Sequence, residues 1–255
     1  MTMTRTVNDP VRPSLDRPTA MRLAATEYQR FVSLLRTLGP DDWTCQTECP
    51  GWDVRAMAAH LLGMVEMAAS LREQNRQNRA AKARQRQRGG SYIDALTGLQ
   101  VAERAEMTPE QIIARFAARA PKATKGRRRA PGFVRRRQLP ELQEVNGHAE
   151  AWTFGFLIDI ILTRDPWMHR IDIARATGVA NLLTQDHDGV IVADVVDEWA
   201  KRHGQPYTLR LTGPAGGAWS RGTDGPAIEL DAVEFCRAVS GRAPADGLLT
   251  TQVPF

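Results

Sequence analysis

Apolar side chains recur at three- and four-residue steps along three long stretches of this chain, a period that suits helices burying one face. The first stretch runs from about Thr19 to Leu38. Leu23, Ala24, Tyr28, Phe31, Leu34, Leu35 and Leu38 share a side, and Gly39-Pro40 stops it. The second follows a compact turn from Asp41-Asp42-Trp43 to Pro50-Gly51-Trp52, with Asp53 as N-cap. It carries Val54, Met57, Ala58, Leu61, Met64, Val65, Ala68 and Leu71, and extends as a basic helix to Arg88, where Gly89-Gly90 ends it. The third runs from Phe154 to about Thr177 and closes at Gly178.

Between these lie a short helix over residues 91–100 and another opening at Thr108-Pro109-Glu110-Gln111, a capping-box sequence with proline at the first helical position. That helix is expected to end before Pro121, leaving 121–151 as a long functional or mobile connection. After Gly178 the pattern changes. Residues 185–203 read as helical, Tyr207–Thr212 alternates like a strand, and Gly213–Gly217 is a turn. Ala218-Trp219 and Ala227–Leu230 read as short strands, and Asp231–Ser240 as a last helix capped by Gly241. The expected fold class is therefore α+β. A helical domain over 19–178, with basic insertions at 72–90 and 121–151, precedes a small α/β domain over 179–255. Residues 1–18 read as a disordered lead-in without the apolar core of a secretory signal.

Charge narrows the possible partners. The chain carries a net +5, yet residues 72–90 alone hold +6 and residues 121–137 hold +8, which leaves −9 on the rest. A nucleic-acid-binding fold is normally basic over its folded surface, so these segments read as solvated or partner-facing, able at most to attract an anionic substrate. Only Phe133 sits between Arg127-Arg128-Arg129 and Arg135-Arg136-Arg137, too few aromatics for a base-stacking platform. No apolar stretch is long enough to cross a bilayer. Three cysteines, Cys45, Cys49 and Cys236, make no disulfide framework and suit the cytoplasm.

Polar residues interrupt the apolar stripes at two places. His60 falls on the arc of Met57, Leu61, Met64 and Leu71. Asp165, His169 and Asp172 fall together on a face shared with Ile158, Ile161, Leu162 and Ala176. Polar groups in such positions are costly unless compensated. A divalent metal compensates them, since a carboxylate and an imidazole one helical turn apart can grip an ion. A hydrogen-bonded Asp–His pair compensates them as well. Pro166 adds a further alternative, because proline within a helix removes a hydrogen bond: the helix either kinks there or begins there with Asp165 as its cap.

The run Cys49-Pro50-Gly51-Trp52-Asp53-Val54-Arg55-Ala56-Met57-Ala58-Ala59-His60-Leu61, followed downstream by Asp165-x-Trp167-x-His169-x-x-Asp172-Ile173, resembles the maleylpyruvate isomerase-like, mycothiol-dependent family of actinobacteria. Ala238-Val239-Ser240-Gly241-Arg242 resembles the end of that family's smaller second domain. The resemblance implies a DinB-like metal-binding four-helix bundle with metal ligands at His60, Asp165 and His169. It leaves a coordination position open for water or a thiolate, with Asp172 orienting a ligand from behind. It further implies a substrate-binding arginine, placed at Arg242, where a guanidinium can clamp a carboxylate; a surface arginine following a helix-ending glycine fits equally.

The expected function is accordingly a divalent-metal enzyme, zinc by expectation, with mycothiol as thiol cosubstrate. It would act on a small electrophilic, carboxylate-bearing substrate as an isomerase or S-transferase. The rival is a non-catalytic metal-stabilised module meeting nucleic acid or an acidic protein through its arginine-rich segments. The remaining candidates carry less. Cys45 and Cys49 read as small buried residues, Trp43 and Trp52 as packing across the turn, and His148, His187 and His203 as solvated.

Overall fold

A computed structural model describes residues 9–255. In chain order its helices are α1 (Arg17–Leu35), α2 (Val54–Ala69), α3 (Leu71–Arg88), α4 (Tyr92–Ala102), α5 (Pro109–Arg129) and α6 (Gly132–Arg135). The hairpin β1 (Gln143–Val145) and β2 (His148–Glu150) follows, then α7 (Phe154–Phe156), a π-helical turn (Leu157–Ile161), α8 (Leu162–Thr177) and α9 (Val190–His203). The chain closes with β3 (Tyr207–Thr212), β4 (Gly217–Arg221), β5 (Ala227–Asp231) and α10 (Ala232–Val239). This is the expected α+β class. The chain forms two compact units, one of Ala24–Ala130 with Asp165–Asn181 and the other of the residues before Ala24, Pro131–Arg164 and Leu182–Phe255. Both are discontinuous in sequence, whereas the sequence reading places one boundary at 178.

The first unit is the helical bundle. Phe31 and Leu35 of α1, Met57 and Leu61 of α2, Ile112 and Phe116 of α5, and Ile173 of α8 share one buried core. Their three- and four-residue spacing wraps each apolar stripe onto the common axis. Helix α2 starts where expected, with the Asp53 carboxylate accepting from the Ala56 N–H at 2.7 Å. It does not extend to Arg88. The chain turns at Ser70 (φ −151°, ψ 117°), whose hydroxyl accepts from the Glu73 N–H and starts α3 afresh. Helices α3 and α4 thus form a basic hairpin inserted between α2 and α5.

Helix α5 shows the expected capping box at Thr108 and Gln111 but runs through Pro121 to Arg129. Pro121 lies on its exposed side, where water can satisfy the carbonyl left without a donor. The expected connection over 121–151 is therefore the last turns of α5, then α6, then the β1–β2 hairpin. Arg127, read as part of a solvated segment, is buried. It donates to the Tyr28 hydroxyl at 3.1 Å and lies over that ring.

In the second unit β3 is central. It pairs antiparallel with β4 and parallel with β5, its Leu209 and Leu211 are buried, and Trp199 packs edge-on against Tyr207 at its start and against Phe235. Asn146 and Gly147 join β1 to β2 at positive φ, the two-residue turn that suits the twist of a hairpin. Residues 1–8 of the expected lead-in lie outside the described residues. From Asp9 onward the lead-in is held rather than free: Val11 is buried, its N–H donates to the Ala151 carbonyl, and its carbonyl accepts from Thr153. His187, expected to be solvated, is also buried in this unit, whereas His148 is exposed on β2. Among the described residues no helix is long and apolar enough to cross a membrane.

Candidate metal centre

Helix α2 presents His60 to the bundle interior, where it is 4% exposed. Helix α8 presents Asp165 and His169 one turn apart. Asp165 occupies the first turn of α8 and is not its N-cap. Pro166 is accommodated because the π-turn over Leu157–Ile161 and the bend at Leu162 (ψ 4°) have already broken the regular hydrogen-bond ladder before it. The three side chains converge. Asp165 Oδ1 is 3.3 Å from His169 Nε2, and Asp165 Oδ2 is 3.7 Å from His60 Nε2. One donor atom from each residue lies within 4.8 Å of the others. Ligands about 2.1 Å from a tetrahedral ion stand roughly 3.4 Å apart, so these spacings fit a divalent cation without rearrangement of the helices.

Each imidazole is fixed from behind. The Asp172 carboxylate, fully buried, accepts from His169 Nδ1 at 3.0 Å. The Gln100 side-chain oxygen accepts from His60 Nδ1 at 2.8 Å. Both Nε2 atoms are thereby turned toward Asp165, the tautomer a metal ligand needs. The two rings stand perpendicular with centroids 5.6 Å apart, and Trp52 packs against both, at 5.1 Å from His60 and 6.2 Å from His169. Trp52 is held by a tight turn: its N–H donates to the Cys49 carbonyl at 3.0 Å, with Pro50 and then Gly51 (φ +77°) at the corner. Pro-Gly serves that corner because only glycine adopts such a φ without strain.

Electrostatics favour a charged centre. Burial alone would raise the Asp165 carboxyl, yet the neighbouring His169, its hydrogen bond to the carboxylate and the nearby His60 hold it well below the usual range. Burial alone would likewise lower His169, yet Asp165, together with hydrogen bonds to Asp165, Asp172 and Cys49, holds it well above. In the metal-free protein the pair is an imidazolium against a carboxylate. A divalent cation can take the place of the His169 Nε2 proton.

Gln100 and Cys49 were not found as site residues by sequence reasoning. Gln100 stands on α4, forty residues from His60, and nothing in its local pattern separates it from other polar helix positions. Cys49 is half-buried, with Sγ 3.9 Å from Asp172 Oδ2, and with His169 and Asp172 it forms a second close group. Its place in the Pro-Gly-Trp turn was the available signal. Arg242 belongs to the other unit. It is half-buried after Gly241 (φ +80°), and its N–H donates to the Arg237 carbonyl at 2.9 Å.

The model of the mycothiol maleylpyruvate isomerase N-terminal domain family matches residues 24–174. A crystal structure of the mycothiol-dependent maleylpyruvate isomerase is similar at 13% identity and a TM-score of 0.57, with 90% of each chain covered. The crystal structure of a histidine-to-alanine mutant of that isomerase is similar at 13% identity and 0.56, with the same coverage. At this identity the likeness establishes the fold. Among curated proteins none matches.

Proposed function

This chain belongs to the mycothiol maleylpyruvate isomerase N-terminal domain family, a family of enzymes, and on that premise we propose a metal- and mycothiol-dependent reaction on a small electrophilic substrate. The observation that carries the proposal is the convergence of His60 Nε2, Asp165 and His169 Nε2, each imidazole already turned by a hydrogen bond at its other nitrogen. Three protein ligands leave a coordination position for an exogenous group, the arrangement of catalytic rather than structural zinc. When bound there, a divalent ion supplies the positive charge that lowers the pKa of a coordinated thiol, so that thiolate exists at neutral pH.

The side chains around the centre do the rest. Asp165 brings one negative charge and two oxygens between the imidazoles. Asp172 and Gln100 hold the two rings against rotation. Trp52 covers both rings and keeps water from one side of them. The reaction class is reversible addition of a thiol to an electrophilic carbon. Isomerisation follows if the thiol is expelled again, and S-transfer if it is kept. We carry Arg242 as the residue that binds a substrate carboxylate. Arg242→Ala should raise KM for a carboxylate substrate and leave metal content unchanged, and an unchanged KM removes that role from Arg242.

The test is thiol consumption or isomerisation by the metal-loaded protein with mycothiol and a panel of small unsaturated carboxylates. The proposal expects turnover that chelation abolishes and added metal restores. Turnover indifferent to chelation contradicts it.

A further inference from the structure

The hydrogen bond that fixes His60 is the inner end of a longer chain of side chains whose direction is set at the surface. Gln100 is fully buried. Its side-chain oxygen accepts from His60 Nδ1, and its amide nitrogen donates to the oxygen of Gln77 on α3 at 3.0 Å, beside the sulfurs of Met64 and Met67. Gln77, also fully buried, donates in turn to the Gly63 carbonyl at 3.3 Å and to Glu73 Oε1 at 2.9 Å. Glu73 is held by Arg76 at 2.6 Å, and Arg76 is shared with Glu103 at 2.6 Å.

This chain has only one consistent direction. A backbone carbonyl can only accept, and Glu73, whose carboxyl the Arg76 guanidinium brings down to about 2 despite partial burial, also only accepts at neutral pH. Gln77 must therefore present its NH2 to them and its oxygen to Gln100. Gln100 must present its NH2 to Gln77 and its oxygen to His60. An amide oxygen has no proton to give, so His60 must carry its proton on Nδ1 and turn the lone pair of Nε2 toward the space between Asp165 and His169. Space is reserved for the contact as well. A Cβ on Gly63 would stand 2.5 Å from Gln100 Cγ and 2.8 Å from its Cβ, closer than packed atoms allow.

We propose that Gln100 and Gln77, anchored by Glu73 and Arg76, are positioning residues that set the tautomer and ring orientation of His60. The α3–α4 hairpin is thereby a support of the metal centre rather than a bystander insertion. The inference rests on the metal-centre reading and extends it to residues that touch neither metal nor substrate.

Three variants test it by zinc affinity of the metal-stripped protein against a chromogenic chelator, with thermal melting to confirm folding. Gln100→Met keeps the length of the side chain and loses the acceptor. It should weaken zinc binding by ~10–100-fold, the usual cost of losing such a support. Gln100→Glu still accepts from Nδ1 and should stay within about threefold of wild type, a range set well inside that loss. Gln77→Met should weaken binding in the wild-type background and much less beside Gln100→Glu, because a carboxylate accepts whatever lies behind it. The nitrogen NMR signals of His60 in the metal-free protein give a second readout: proton on Nδ1 in wild type, a mixture of tautomers in Gln100→Met. Undiminished zinc affinity in Gln100→Met, alongside its loss in His60→Ala, overturns the positioning role and leaves the centre standing. A wild-type protein that binds no zinc at all overturns both.

Discussion

Asp165 is the residue on which the centre turns, because it alone stands between both imidazoles. Asp165→Asn keeps the shape but removes the charge and turns one acceptor oxygen into a donor, so metal affinity should fall steeply while the protein stays folded. If metal content measured by elemental analysis is unchanged, Asp165 is no ligand. The charge states give a second prediction. In the metal-free protein His169 is raised, so its share of stability is full below the ordinary histidine value of 6.5 and is lost as pH rises through the raised one. Asp165 is lowered, so its share is present above the ordinary 3.8 and is lost as pH falls through the depressed value. The pair is therefore intact around neutrality, and a metal must displace the proton on His169 Nε2. Calorimetry in two buffers of different ionisation enthalpy should find about one proton released per ion bound. Binding without proton release would show that His169 does not ligate through Nε2. The resemblance and the spacing of Asp165, His169 and Asp172 made this set legible, because four- and three-residue steps put them on one face. Gln100 was not legible, since its role exists only once α4 has packed against α2.

At the scale of elements, punctuation was read well where a side chain makes it and less well where packing does. The caps at Asp53 and Thr108 are local hydrogen bonds, and each starts its helix where the sequence placed it. Ser70 and Pro121 misled for opposite reasons. Ser70 is a weak local signal that became a break because α3 turns back to pack its buried Gln77 and Ala81. Pro121 is a strong breaker tolerated because α5 is anchored on both sides of it by Phe116, Ala120 and Ala123. The same helix makes a backbone-close approach at Gly126, where a Cβ would stand 2.1 Å from the Ala68 carbonyl oxygen. Gly126→Ala should therefore force α5 away from α2 and cost about 1–3 kcal/mol in chemical denaturation, although alanine is the better helix former. A variant as stable as wild type would mean that the two helices yield freely there.

Across the whole molecule the positive charge divides between burial and surface. Arg127 is part of the bundle, stacked on Tyr28, whereas Arg128 and Arg129 are exposed. Arg127→Ser should lower the melting temperature, and Arg128→Ser with Arg129→Ser should leave melting and metal content alone. If the double variant slows the low-salt rate and the loss fades as salt rises, the exposed pair steers an anionic substrate. The family assignment and the helical bundle make an enzyme the better account than a nucleic-acid module. The chemistry claimed for it stands on one ion. The most direct measurement is elemental analysis of the purified protein beside His60→Ala and His169→Ala. The account predicts about one divalent ion per chain in the wild type, lost from both variants while they remain folded. Full occupancy in both variants would contradict it.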